Sequence, residues 1–281
     1  MRKICSVVLA LVTFALSAQV SGEFVEENSI EIQNRTEQND SVFKAIKNYN
    51  AIMIGEMHGT KEPPEFLMGI VNTLLNNGKK VIVGLEISTD GLVNFNEDIT
   101  LEKLKKSPFF SSASPDGRQC IAWAEMLLAL KKLNVEIICF DLNMEHKGDK
   151  KVNRDSIMFM NLNSQLENDT NSVLVTLTGN ISNKLMPYKG MKTMSYFLGS
   201  DERSMLRDKK ILALNHMYGK GTTMNWLNDG YKLREVEGSA YFYEYATSYE
   251  NYLFIYPVME GYNGIIFSKT ITASPPLVTG K

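Results

Sequence analysis

The sequence is poor in cysteine and histidine and has almost no excess charge, and each scarcity excludes a class of protein. It has three cysteines in 281 residues, too few for a small disulfide-stabilised module. The net charge is −2, so no basic surplus suggests a nucleic-acid partner. Hydrophobic residues make up 44% of the chain and charged residues 22%, which excludes an intrinsically disordered chain. The composition therefore predicts a globular protein, long enough for a sizeable hydrophobic core.

One long apolar run is present, and it lies at the N-terminus. Basic residues at positions 2 and 3 precede an uncharged run over residues 4–18, and small residues follow at positions 18, 21 and 22. This order is typical of a secretory signal, and the run is shorter than the roughly 20 apolar residues of a spanning helix. We therefore expect residues 1–22 to be a cleaved signal peptide and the protein to be periplasmic or secreted, with no transmembrane segment after cleavage.

Cleavage would leave two cysteines in an oxidising compartment. Cys120 begins a predicted helix, and Cys139 lies near the end of the next predicted strand. An antiparallel helix–strand pair would bring these two ends together, so the residues either form a disulfide or remain buried thiols.

Short apolar runs alternate with helical patterns through most of the chain. The predicted strands cover residues 51–54, 80–85, 135–140, 172–177, 210–214, 252–257 and, at an edge, 264–268. The predicted helices cover residues 64–76, 119–133 and 153–167. This alternation predicts an α/β protein whose mostly parallel sheet is flanked by helices on both faces. We expect a flexible lead-in over residues 23–40 and a single domain over residues 41–281, with an irregular C-terminal section over residues 219–249.

Polar residues follow several of the predicted strands. In an open parallel sheet, ligands bind outside the carboxyl ends of the strands. The residues expected at this edge are Glu56, His58, Glu62, Glu86, Asp141, Ser182 and His216. The three histidines of the chain, His58, His146 and His216, each follow a predicted strand. The sequence therefore predicts a cleft at the strand ends.

The segment Gly55-Glu-Met-His-Gly59 places an acid and an imidazole two residues apart. If the strand persists, Glu56 and His58 project to the same side, where the acid can orient the imidazole and raise its basicity, or both can bind a metal. Arg118, before the second predicted helix, could stabilise an oxyanion or instead lie in a solvated turn. The sequence contains no Walker phosphate loop, Gly-x-Ser-x-Gly elbow, paired Cys-x-x-Cys site or His-Glu-x-x-His pair, which disfavours nucleotide binding and ordinary serine-hydrolase chemistry.

The stretch Ile54-Gly-Glu-Met-His-Gly-Thr-Lys-Glu62, followed by Val83-Gly-Leu-Glu86, resembles a known superfamily. It is similar to the group of erythromycin esterases, ChaN-like haem-binding proteins and Tiki-type metalloproteases, and Asp116-Gly-Arg118, Asp141 and Arg154-Asp155 look like its bacterial ChaN-like branch. The resemblance implies an α/β fold with Glu56, His58, Glu62 and Glu86 lining the cleft and Arg118 behind them. One departure is that Ser182 stands where such proteins commonly carry a second histidine.

The resemblance leaves three functions open. The leading interpretation is an exported hydrolase of a small-molecule or peptide ester or amide, in which His58 is the general base, Glu56 or Glu86 orients it, and Arg118 stabilises the oxyanion. Glu62, Asp141, Ser182 and His216 would contact substrate. The alternatives are a haem- or iron-binding protein, and a metal-dependent peptidase with a divalent metal on Glu56, His58 and Glu86. Because of Ser182, a degenerate and non-catalytic relative also stays open.

Overall fold

The computed structural model describes residues 21–92, 99–112, 115–143, 153–167, 171–227, 230–238, 245, 247–256 and 261–278. The helices are α1 (Gly22–Asn28), α2 (Asp40–Ile46), α3 (Glu62–Asn76), α4 (Leu101–Lys106), α5 (Ile121–Lys132), α6 (Arg154–Leu166) and α7 (Met194–Ser200). The strands are β1 (Ile30–Glu31), β2 (Ala51–Glu56), β3 (Val81–Ser88), β4 (Glu136–Asp141), β5 (Val173–Gly179), β6 (Ile211–Leu227), β7 (Gly230–Glu237), β8 (Asn251–Phe254) and β9 (Gly264–Ile271).

All nine strands belong to one sheet, with the order β1-β8-β9-β6-β2-β5-β3-β4 and with β7 paired to the far half of β6. The five central pairings, from β9 through β6, β2, β5 and β3 to β4, are parallel. The pairings of β1 with β8, β8 with β9 and β6 with β7 are antiparallel. The predicted α/β fold with a mostly parallel sheet is confirmed.

Helices cover both faces of the sheet. Side chains alternate between the faces along each strand, so neighbouring residues of one strand pack against different helical layers. Ile52 of β2 lies in a core that it shares with α3 and α5. The largest buried side chain of this core is Trp123. The next residue, Met53, lies in the second core, with Met158 of α6 and Met194 of α7. All six residues of β2 are buried, as expected for a strand between two helical layers.

The C-terminal half of the sheet is more regular than the sequence predicts. The segment over residues 219–249 is expected to be irregular, but β6 runs on to Leu227 and turns back as β7. β9 pairs with this extension along one edge as far as Gly221, and β7 pairs along the opposite edge from Lys220 onward. As a result His216 does not follow a strand end: it lies inside β6, opposite Ile266 of β9.

The predicted lead-in includes most of a helix and a short strand. Ser21 caps α1 by accepting a hydrogen bond from the Phe24 amide, and Val25 of that helix is fully buried in a small aromatic core. Ile30 and Glu31 then pair with β8. The expected signal peptide falls almost entirely outside the described residues. None of the helices in the described part of the chain combines the length and apolarity that crossing a bilayer requires.

The two cysteines that remain after residue 22 are free thiols. Cys120 is fully buried at the start of α5, and Cys139 is partly buried in β4. Burial raises the pKa of both thiols, to about 11 for Cys120 and to about 12 for Cys139. The two groups therefore lie in apolar surroundings as uncharged thiols.

Candidate functional site

The carboxyl ends of the parallel strands bring the predicted acids together at one edge of the sheet. Glu56 is the last residue of β2, Glu86 lies two residues before the end of β3, and Asp141 ends β4. All three side chains are at least 93% buried. Three buried carboxylates at one edge need compensating donors or cations, and these donors define the site.

Glu56 and His58 form a hydrogen-bonded pair. The Nδ1 atom of His58 lies 3.0 Å from Oε1 of Glu56. The other carboxylate oxygen of Glu56, Oε2, is buried without a hydrogen-bond partner. The Glu56 side chain is 0% exposed, whereas that of His58 is 24% exposed. Burial and the charge of Arg118 lower the pKa of His58, but the hydrogen bond and charge of Glu56 and the charge of Glu86 outweigh them and raise it above its ordinary value. The pair is therefore a basic imidazole held by a buried acid.

Glu86 has no spare acceptor position for a substrate or a metal. Its Oε2 accepts hydrogen bonds from the Thr178 hydroxyl at 2.6 Å and the Gly179 amide at 2.5 Å. Its Oε1 contacts Arg154 at 2.5 Å and Arg118 at 3.2 Å. Burial would raise the pKa of Glu86, but the charges of Arg118 and Arg154 hold it well below its usual range. Glu86 is thus a fixed anion that holds two guanidinium groups.

The two arginines differ in how far a ligand can reach them. Arg118 is 3% exposed; it donates to the Glu86 backbone oxygen and makes a 2.5 Å ion pair with Asp116. Arg154, the first residue of α6, is 42% exposed and donates to both oxygens of Asp141, at 2.7 and 2.8 Å. The sequence marks Arg118 as the residue that meets the substrate, but the guanidinium at the surface of the cluster belongs to Arg154. Arg154 is predicted from the sequence only as part of the resemblance, although a strand that ends in an acid before a helix that begins with arginine already indicates this ion pair.

Gly59 and Gly179 shape the space around His58. Gly59 has a φ of +91°, and a side chain there would meet the Met224 oxygen of β6 at 2.0 Å, so the loop after β2 packs directly on the β6 backbone. Thr223 of the same strand donates to the His58 oxygen at 2.9 Å. At Gly179 a methyl group would lie 3.6 Å from Glu86 Oε2 and from both Cε1 and Nε2 of the His58 ring. The free edge of the imidazole therefore faces the small space left by Gly179.

Two of the predicted substrate contacts have internal partners instead. Glu62, in the first turn of α3, is 1% exposed and accepts a hydrogen bond from the Thr272 amide at 2.9 Å. Burial raises its pKa. Asp141 is occupied by Arg154 and by the Leu142 amide at 2.7 Å. Asp141 and one oxygen of Glu62 are therefore committed to contacts within the protein.

The structure does not bring Ser182 or His216 against His58. Ser182 is 8% exposed, and its backbone oxygen accepts from the Ser195 amide of α7. His216 is 2% exposed; it bonds Ser268 through Nε2 at 3.1 Å and packs edge-on against Phe66. Burial and the charge of Arg35 lower its pKa to about 3, so it is a neutral core histidine. His146 lies outside the described residues.

The donor set at the strand ends does not suit a divalent metal. Glu86 is saturated by hydrogen-bond donors, His58 uses Nδ1 for Glu56, and two guanidinium groups already supply positive charge. Over the residues that the structure describes, no group of three or more His, Cys, Asp or Glu is placed to hold a metal ion. The proposed Glu56–His58–Glu86 metal site is therefore not supported by the geometry.

No protein-family model and no curated protein matches the sequence. Solved structures do match. A variant erythromycin esterase in its open conformation aligns with a TM-score of 0.59 at 10% identity, covering 85% of this chain and 95% of that protein. The chain is thus similar in overall fold to this esterase. A succinoglycan biosynthesis protein aligns with a TM-score of 0.64 at 9% identity, over 89% of this chain and 96% of its own. A Bacillus cereus protein aligns with a TM-score of 0.61 at 10% identity, over 91% and 98%. At these identities the likeness establishes the fold alone.

Proposed function

We propose that this protein is an exported hydrolase that cleaves an ester or amide bond with His58 as its general base. The observation that carries the proposal is the pairing of a buried carboxylate with a half-buried imidazole 3.0 Å away, at the edge of the sheet where open α/β folds bind ligands. A carboxylate only accepts hydrogen bonds, so Nδ1 of the neutral ring carries the proton and Nε2 is left as the base.

His58 then has the position and basicity to activate water. Its Cε1–Nε2 edge faces Gly179, where a Cβ atom would lie 3.6 Å from Nε2, and we place the attacking water in the space that the missing side chain leaves. In the proposed step, Nε2 takes a proton from this water while the water oxygen attacks the carbonyl carbon, and the protonated ring later returns that proton to the leaving group. Glu56 stabilises the imidazolium between the two transfers.

We assign stabilisation of the carbonyl oxygen to Arg154 instead of Arg118. Arg118 is 3% exposed and its guanidinium is committed to Asp116 and Glu86, whereas Arg154 is 42% exposed. Arg154 is also held rigidly by two carboxylates, and an oxyanion donor must be fixed in place before the charge develops. Arg118 acts as a positioning residue, because it fixes Glu86 and through it Arg154.

The proposal is tested by assaying a panel of 4-nitrophenyl esters and aryl amides with the wild-type protein and with His58→Asn. We expect His58→Asn to lose at least about 100-fold in kcat/KM and to keep the wild-type melting temperature, because the ring is partly exposed. Arg154→Gln should lower kcat more than it raises KM, since the contact forms mainly in the transition state. Equal hydrolysis by wild type and His58→Asn would refute the assignment.

The same preparation distinguishes the haem-binding alternative. His58 is the more accessible of the two histidines that the structure describes, since His216 is 2% exposed. An axial ligand must be reachable, so a haem complex would require the ring to leave Glu56. A Soret band that appears on adding haem and is lost in His58→Asn, with no hydrolysis of any ester or amide, would replace the hydrolase proposal.

A further inference from the structure

The loop between β5 and α7 carries a basic and apolar hairpin that the hydrolytic site does not use. Between Gly179 and Asp201 the sequence has three lysines, Lys184, Lys189 and Lys192, and no acidic residue, in a chain whose net charge is −2. Residues 184–193, named here the lysine hairpin, therefore form a positively charged segment on a protein with a slight acidic excess.

The lysine hairpin has a defined backbone. Tyr188 and Met191 exchange two backbone hydrogen bonds, at 2.9 and 3.0 Å. Lys189 and Gly190 between them have φ values of +49° and +81°, the signs of the tightest two-residue hairpin turn. At the base, buried Thr193 donates from its hydroxyl to the Lys184 oxygen at 2.5 Å. The hairpin therefore has a regular two-residue turn, with hydrogen bonds at its tip and at its base.

Apolar and aromatic groups lie among these charges. Met191 is 64% exposed, more than any other large apolar side chain in the described residues. The Lys189 ammonium lies 5.3 Å from the Tyr188 ring, and the Lys192 ammonium lies 5.7 Å from the Tyr196 ring. Asp201, the nearest acid along the chain, is held by Arg203, and Lys192 contributes to lowering its pKa. An exposed apolar tip surrounded by lysines and tyrosines matches the composition of an interfacial membrane contact.

We propose that the lysine hairpin docks this protein on an anionic lipid surface, with Met191 entering the headgroup region and Lys189 and Lys192 contacting phosphate groups. Charge complementarity selects this occupant: the segment is uniformly basic, and the surface of an anionic bilayer attracts each lysine near it. A neutral protein surface would cover Met191 equally well but would leave the lysines without counter-charges. The hairpin begins five residues after Gly179, which faces the His58 ring, so docking would hold the His58 site near the lipid.

The proposal is tested in the full chain with a tryptophan reporter at the hairpin tip. Met191→Trp is made in a Trp226→Phe background, and Met160→Trp, which replaces a 49% exposed methionine on α6, is the matched control. On adding vesicles of phosphatidylcholine and phosphatidylglycerol, the emission of the Met191→Trp variant should shift to shorter wavelength and be quenched by brominated lipid. Neither change should occur with pure phosphatidylcholine or in the Met160→Trp control.

Charge removal then measures the contribution of the lysines. Lys189→Gln with Lys192→Gln should weaken partitioning into anionic vesicles about 25-fold, near fivefold for each lysine. Lys131→Gln with Lys132→Gln, at the far end of α5, removes the same charge and should leave the partitioning unchanged. The N-terminal apolar run is the same in every variant. A change in the emission of the tip reporter therefore reports lipid contact at the hairpin and not binding through that run.

Three outcomes would overturn the proposal. They are an unshifted emission of the tip reporter in anionic vesicles, equal shifts in neutral and anionic vesicles, and a loss of binding as large in the Lys131 and Lys132 control as in the hairpin variant. Binding of heparin that depends on Lys189 and Lys192, without any vesicle response, would assign the hairpin to a soluble polyanion. None of these results depends on hydrolysis, so they leave the proposed function to its own test.

Discussion

Replacing Glu86 with glutamine should destabilise the protein strongly, because this carboxylate holds the interior of the site together. Glu86 is 2% exposed and contacts two guanidinium groups, one hydroxyl and one backbone amide. Glutamine keeps the shape of the side chain but removes its charge. Its NH2 group would also face groups that are themselves hydrogen-bond donors. Breaking a buried ion pair from one side costs about 3–5 kcal/mol. Most of this cost should come from Arg118, since Arg154 is 42% exposed and water screens it.

The effect is measured by urea unfolding, with Asp201→Asn as the control. Against a typical total stability of about 5–15 kcal/mol, Glu86→Gln should move the unfolding midpoint by more than about 1 M urea. Asp201 forms its ion pair with Arg203, which is 66% exposed, so Asp201→Asn should cost less than about 1 kcal/mol. An unchanged midpoint for Glu86→Gln at pH 7 would refute the account of Glu86 as the anchor.

The pH dependence of this difference has a definite sign. The pKa of Glu86 is held below its ordinary value of 4.5, so the folded state binds fewer protons than the unfolded state as the pH falls below that value. The stability that the carboxylate supplies is fully present above pH 4.5 and is lost as the pH falls toward the folded pKa. The penalty of Glu86→Gln should therefore be smaller at pH 3 than at pH 7.

Three further predictions concern the space around the site and the core. Gly179→Ala should leave the melting temperature unchanged but reduce activity, because its methyl group would fill the space 3.6 Å from the Nε2 edge of His58; full activity would place the water elsewhere. His216→Gln should flatten the loss of stability between pH 6.5 and 4, since burial lowers the pKa of His216 to about 3 and only the unfolded chain gains that proton; an unchanged slope in urea unfolding would contradict this. Gly59→Ala should lower the free energy of unfolding by several kcal/mol and Gly78→Ala by about 1 kcal/mol. Both glycines have positive φ, but only at Gly59 would the added methyl group meet a backbone atom, the Met224 oxygen at 2.0 Å. Equal losses in thermal unfolding would show that the loop can move.

The strands of the buried sheet could be predicted because their apolar runs are continuous. The run over residues 172–177 corresponds to β5, and the Glu56–His58 pair follows from the spacing of two in an extended segment. The end of β6 could not be predicted in the same way. Its polar second half is a strand because β9 and β7 pair with it, and such pairing is not visible in local composition.

The roles within the site depend on burial, which the sequence pattern does not reveal. Arg118 and Arg154 both stand at the start of predicted helices, yet one is 3% exposed and the other 42%. Likewise His216 has the same residue type and a similar expected place as His58, but it points into the apolar core beside Phe66. Exposure thus decides which candidate can meet a substrate, and exposure is set by long-range packing.

The central claim is that Glu56 tunes His58 as a general base, and the pH profile of kcat/KM tests it most directly. In the wild type the rate should rise with pH through one ionisation above 6.5, the ordinary pKa of histidine, because Glu56 raises the pKa of His58. Glu56→Gln keeps the hydrogen-bonding shape but removes the charge, so the same limb should move to lower pH and the maximal rate should fall. A limb that stays at the same pH in Glu56→Gln would contradict the account.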